Sequence, residues 1–155
     1  MDLKPGIDFT AVSVSFYCHN DDGLFVLHKR SENCRDEIGT WDFGGGRLEF
    51  GEDPEVGVLR EVLEEYGVEG EIIEQLPALS LIRENKGITT HWLSIPFLIK
   101  VDITKIKNGD PEKISEIEFF TLDNLPQPLH KGATHTLKKF EKHFDKYKKS
   151  KSGKS

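Results

Sequence analysis

Residues 46–68 read GRLEFGEDPEVGVLREVLEEYGV, and no other stretch limits the fold of this chain so tightly. Asp53-Pro54 is a helix-start signal, because Asp can cap the free amides of a first turn and Pro is preformed for the first helical position. Gly67 supplies the stop, since glycine takes the left-handed residue after a helix at little cost. The punctuation predicts a helix over 54–66. Leu59, Val62, Leu63 and Tyr66 fall at the spacing of a buried apolar stripe, with Val56 at its edge. Glu61, Glu64 and Glu65 are expected together on the opposite side.

Three carboxylates this close repel one another, and near a helix C-terminus they also oppose the macrodipole. A solvated acidic face is the plain reading of such a run. The alternative is a hard divalent cation, Mg²⁺ or Mn²⁺, held by carboxylate oxygens and substrate phosphates. Arg60 is spaced to pair with Glu64 and reduce the repulsion.

The surrounding positions favour the second reading. The segment resembles the Nudix box, Gx5Ex7REUxEExGU with U aliphatic. Gly46, Glu52, Arg60, Glu61, Val62, Glu64, Glu65, Gly67 and Val68 fill every specified position. One departure lies just upstream, where Gly44 stands at a position commonly Pro in the family. The resemblance implies an α/β (α+β) chain with the Nudix fold, an α/β/α sandwich around a mixed β-sheet with the box as loop-helix-loop. It also implies hydrolysis of a nucleoside diphosphate linked to a further group. By the same resemblance Glu64 and Glu65 are metal ligands, Glu61 is a ligand or general base, and the Gly45 carbonyl is a further ligand. Arg60 orients the carboxylates, and Glu52 helps to hold the loop against the helix. The family often adds a late-loop glutamate, for which Glu112 and Glu116 are the candidates and Glu116 the better one. A cation there neutralises phosphate oxygens, polarises phosphorus and lowers the pKa of bound water.

Substrate choice depends on residues outside the box. Trp41, Phe43 and Trp92 can stack on a base or simply pack in a core. Arg30, Arg35 and Arg83 are candidate phosphate binders. Arg30, Phe43 and Trp92 are taken as the substrate-binding set. The short chain looks most like the compact MutT-type pyrophosphohydrolases, which implies a nucleoside triphosphate, oxidised and noncanonical ones included, cleaved to monophosphate and pyrophosphate. ADP-ribose, a nucleotide sugar or a dinucleoside polyphosphate is the neighbouring substrate class. A nucleotide sensor without turnover is the reading of another class.

The 155 residues suffice for one domain, expected over 1–148, with a basic flexible tail over 149–155. The net charge of −6 conceals an asymmetry: residues 138–155 carry +6 and residues 1–137 carry −12. An acidic body argues against nucleic acid as the main partner and means that phosphate substrates arrive with metal. No apolar run is long enough to span a membrane, and no signal segment is evident at the N-terminus. Cys18 and Cys34 then read as reduced thiols of a cytoplasmic protein. A small-molecule nucleotide is the expected partner, with a homodimer open. Strands are expected over 9–18, 24–30, 71–84, 88–101 and 116–122, and a last helix over 133–148.

Overall fold

The computed structural model describes residues 2–148, so the basic tail expected over 149–155 lies outside the described residues. The chain alternates strands and helices in the order β1 (Ala11–His19), β2 (Phe25–Arg30), β3 (Trp41–Asp42), β4 (Gly45–Arg47), α1 (Pro54–Tyr66), β5 (Glu71–Gln75), β6 (Leu79–Asn85), β7 (Ile88–Lys100), β8 (Ile114–Phe120), α2 (Lys131–Lys139) and α3 (Glu141–Asp145). The eight strands form one mixed sheet. Its centre is the parallel pair β1 and β7, in register from Ala11↔Trp92 to His19↔Lys100. The other pairings are antiparallel, with β4 against β1 at Ser13–Ser15 and β5 and β6 following one another along β7.

Side chains alternate across a strand, so each central strand feeds two cores. Val14, Phe16 and Cys18 of β1 join Phe97 and Ile99 of β7 beneath α1. Tyr17 and Leu98 face the other way and pack with Phe140 at the junction of α2 and α3, Phe144 of α3 and Tyr147 just beyond it. Helices cover both faces, which gives the sandwich.

Four expectations are corrected. The stretch 71–84 is two strands, because the ladder along β7 is interrupted between Gln75 and Leu79, where Pro77 can donate no ladder hydrogen bond. The last helix is broken at Phe140, which closes α2 and opens α3 with φ −111° and ψ 34°. Asp53 stands in the N-cap position, but its side chain makes no cap bond. The fourth concerns the face of α1. Its buried residues are Gly57, Val58, Val62 and Tyr66, whereas Leu63 is 51% and Val56 59% exposed. The buried face is thus rotated towards Val58, and Glu61 and Glu65 flank that face instead of opposing it.

Tyr66 ties this helix to the chain entering the glycine run. Its hydroxyl donates to the Phe43 carbonyl at 2.9 Å and lies 2.7 Å from His28 Nδ1. With the phenol hydrogen spent on Phe43, the imidazole donates from Nδ1, and burial, which disfavours the charged ring, leaves His28 as that one neutral tautomer. Tyr66→Phe leaves a buried carbonyl and a buried ring nitrogen unpaired. It is expected to lower stability by about 1–3 kcal/mol, read as a fall in the urea midpoint at unchanged slope. A midpoint equal to the parent's would mean these hydrogen bonds add nothing.

Candidate active site

Gly45 and Gly46 lie on β4 against Ser15 and Val14, directly in front of α1. A Cβ at Gly46 would sit on the Glu61 carboxylate, so only glycine lets that acid approach the strand. From the far side, the loop after β7 closes on the helix end. Lys107 N donates to the Tyr66 carbonyl and Gly109 N to the Glu65 carbonyl, both at 2.9 Å. These amides satisfy carbonyls that a helix C-terminus leaves open. Gly67, at φ 68°, completes the stop with its amide on Leu63 O.

The electrostatics follow from that enclosure. Burial, and then the charges of Glu61 and Asp42, push the Glu65 carboxyl well above its ordinary range, with Asp110 adding to the same field. Glu61 is also raised, first by burial, against the opposing pull of Arg60. Each carboxyl makes the other harder to ionise, Glu61 being the first charge after burial to act on Glu65. Glu64, with its side chain 58% exposed, stands outside the pair.

Arg60 organises the acids on its side. Its Nε and Nη2 donate to the two Glu52 oxygens at 2.7 and 2.9 Å, a bidentate fork. Its Nη1 reaches Glu61 at 3.1 Å and Glu64 at 3.3 Å. Glu52 also accepts the Glu49 amide at 3.0 Å, and the Arg60 hydrogen bonds lower its carboxyl to about 2. The loop before the helix is therefore fastened to the helix through one guanidinium.

Among the described residues, no three His, Cys, Asp or Glu side chains are grouped as a ready-made metal cage. The donor chemistry nevertheless fits a hard cation. Two largely enclosed carboxyls that resist ionising side by side are the kind of donors a cation would relieve, and Glu64 and the Gly45 carbonyl supply further oxygen. Glu116 is not drawn into this group. It lies within β8 opposite Lys29, 3.9 Å from that ammonium, and not in a late loop. Glu112 is in the turn before β8, where its carbonyl accepts from Ser31 and Asn33. The late-loop carboxylate that acts on Glu65 is Asp110.

The other side of the glycine run opens into a cleft of about 630 Å³, lined by Ser13, Ser15, Gly44 to Gly46, Arg30, Arg83, Trp92 and His130 among others. Arg30 and Trp92 line it. Phe43 does not. It is fully buried, 4.6 Å from the Tyr17 ring and packed edge-on to Phe25, so it belongs to the core and cannot stack on a base. Asp42 is a site residue that the sequence did not single out. Burial works to raise its carboxyl, and His130, His28 and Arg30 together outweigh that and hold it low. Neither Asp42 nor Asp110 carries a local signal: each reaches Glu65 from a distant part of the chain.

Comparison with known proteins agrees with this arrangement. The pattern of the NUDIX domain matches residues 9–143. The chain is 32% identical over 118 residues to an ADP-ribose pyrophosphatase of Methanocaldococcus jannaschii, covering 76% of this chain and 65% of that protein. It is 42% identical over 64 residues to a MutT-like protein of Streptomyces ambofaciens, covering 41% of this chain and 38% of that one. It thus spans less than two thirds of either relative's length. A crystal structure of a MutT NUDIX hydrolase from Burkholderia pseudomallei superposes with a TM-score of 0.75 at 27% identity, over 85% of this chain and 98% of that one. A family pattern covering most of the chain, and a box helix set against its glycine strand, lead to one conclusion: the chain belongs to the Nudix family.

Proposed function

We propose that this protein is a divalent-metal-dependent pyrophosphohydrolase that cleaves a nucleoside triphosphate to monophosphate and pyrophosphate. The observation that carries the reading is the largely enclosed Glu61 carboxylate against Gly46, with Glu65 on the same helix, beside a cleft lined with arginines. Buried acids that repel one another cost stability and are understandable where a cation is to be held. Glu61, Glu64, Glu65 and the Gly45 carbonyl would hold Mg²⁺ or Mn²⁺. The ion would supply neutralisation of the phosphate oxygens and a more acidic attacking water.

The protein's own groups do the rest. Arg60 holds Glu61 and Glu64 at fixed positions, which lowers the cost of ordering them. A carboxylate of Glu61 or Glu64 accepts the proton of the water that attacks phosphorus, and the phosphoanhydride oxygen leaves with pyrophosphate. Trp92 offers a face to the base, and Arg30 a fork to phosphate. Gly46→Ala, which pushes Glu61 off the strand, is expected to lower kcat on the order of a hundredfold. Near-parent kcat in that variant would remove the close approach from the mechanism.

The archaeal relative's name favours a second reading, hydrolysis of ADP-ribose to AMP and ribose 5-phosphate. Product analysis with Mg²⁺ over nucleoside triphosphates, oxidised nucleotides, ADP-ribose, nucleotide sugars and dinucleoside polyphosphates separates the two. Pyrophosphate from a triphosphate supports the first reading, and turnover of diphosphate-linked substrates alone supports the second. Nucleotide binding without turnover of any of them would leave a sensor.

A further inference from the structure

The cleft holds two arginines that the box chemistry does not use, and both are already engaged by carboxylates. Arg30 comes from β2 and Arg83 from β6, and their side chains are mostly enclosed. Arg30 donates from Nε and Nη2 to the Asp36 carbonyl at 3.2 and 3.0 Å, and from Nη2 to Asp36 Oδ1 at 3.0 Å. Arg83 donates from Nη1 to Glu37 Oε2 at 3.0 Å, with Nη2 3.5 Å from Asp36 Oδ2. Glu37 Oε1 also accepts the first amide of α2, from Lys131 at 3.4 Å. One short loop, residues 31–40, thus places two acids and the Asp36 main-chain carbonyl against the two guanidinium groups and the helix start.

That loop adopts an unfavourable backbone to do so. Glu37 has φ +53°, a left-handed conformation that costs a non-glycine residue energy. Next to it Ile38 is 56% exposed, so the tip is held by its ion pairs and by Thr40, whose amide and hydroxyl donate to the Glu37 carbonyl at 3.2 and 2.8 Å. The base of the loop is fixed separately. Arg30 N donates to Thr40 O and Ser31 N to Lys113 O, both at 2.9 Å. The tip can therefore be released without unpairing the strands below it. A carboxylate and a phosphate both offer anionic oxygens to a guanidinium, and both are favourable at a helix N-terminus.

We propose that Arg30 and Arg83 form an anion subsite for phosphate groups of the substrate, with Asp36 and Glu37 as internal occupants that the phosphate displaces. The proposal rests on the reading of this cleft as the nucleotide site and goes beyond it, because it makes substrate entry an exchange of anions. Affinity is then set partly by the loop: a substrate whose phosphates reach both arginines displaces the carboxylates, and one that offers only a single uncharged edge does not. The same geometry places the selecting residues on β2, β6 and the loop, away from the box.

The test is a calorimetric titration with inorganic pyrophosphate in the presence of a chelator, so that no metal at the box contributes. Asp36→Asn/Glu37→Gln is expected to bind pyrophosphate about tenfold more tightly than the parent, the worth of one charge-assisted contact no longer contested. Adding Arg83→Gln should abolish that gain. Glu37→Gln alone keeps an acceptor for the Lys131 amide, guards against a folding defect, and should give a smaller gain in the same direction. Equal or weaker binding by the double and single variants overturns the proposal, as does a gain that survives Arg83→Gln. No turnover enters the measurement, so the hydrolase reading fails separately. A gain in pyrophosphate affinity in a protein inert towards every candidate substrate would keep the subsite and discard the enzyme.

Discussion

Glu65→Gln is expected to lower kcat with Mg²⁺ on the order of a thousandfold or more, while making the metal-free protein harder to unfold. Both halves follow from one position. Glu65 is enclosed by the loop after β7 and pressed by Glu61, Asp42 and Asp110, so its charge is unfavourable in the folded chain. Gln has nearly the same shape and no charge, which removes the repulsion and leaves a partner for Glu61. The stability gain should appear in chelator and vanish when Mg²⁺ stabilises the parent by binding the folded state alone. A residue that helps to hold a cation loses activity and gains metal-free stability together, a trade-off common at functional sites. Urea unfolding with and without Mg²⁺, beside initial rates, reads all three quantities. Near-parent rates in both Glu65→Gln and Glu64→Gln would overturn the mechanism. A large loss of metal-free stability in Glu65→Gln would make the residue a structural one.

Acid should destabilise the fold well before the surface carboxylates titrate, because two histidines are buried neutral. His28, held between Tyr66 and the core, is lowered to about 4 chiefly by burial. His19 is likewise lowered to about 4, first by burial, with its Nδ1 accepting the Asp21 amide at 3.0 Å. Its Nε2 lies buried with no hydrogen-bond partner among the described residues, beside the Tyr147 and Phe25 rings. An unfolded histidine takes up its proton near pH 6.5, and these two resist until about 4. Between those values the unfolded chain binds more protons, so stability is full above pH 6.5 and falls as the pH drops towards 4. Each ring contributes about 3 kcal/mol over that window. Glu61 and Glu65 act in the opposite sense, since their raised carboxyls gain protons in the folded state as the pH falls. The cleanest measurement is therefore the difference made by one histidine. His19→Asn keeps an acceptor for the Asp21 amide and cannot titrate. Its urea midpoint should fall less between pH 7 and pH 4.5 than the parent's. Parallel slopes would show that His19 is not the group responsible.

How far the sequence could be read depended on how local the cause was. Helix α1 runs from Pro54 to Tyr66 as expected, because Pro54 and Gly67 act on their own neighbours. The side of that helix which is buried was misjudged, and the reason is long-range. The loop carrying Asp110 and the strand carrying Gly46 enclose Glu61 and Glu65, and nothing in the helix itself announces them. A helical segment over 133–148 is legible in the sequence, whereas the break at Phe140 is not. Phe43 shows the limit most clearly. An aromatic beside a glycine run suits a base platform and a core equally well, and only the positions of Tyr17 and Phe25 decide between them. Arg30 and Arg83 were recognisable as candidate phosphate binders, but their shared carboxylate partners depend on a loop whose path the sequence does not specify.

The parallel pairing of β1 with β7 governs the order in which the molecule can be built. Residues 11–19 leave the ribosome about eighty positions before the partner strand that centres the sheet. The box helix is synthesised in between, yet its floor includes Phe97, Ile99 and Val101. Until those residues emerge, α1 is an amphipathic segment with half its support, and the glutamates beside it have no fixed geometry. Closing so long a loop before the central contacts form makes folding slower than a chain of neighbouring hairpins would be. A nascent chain halted before β7 therefore contains every residue of the box and none of its arrangement.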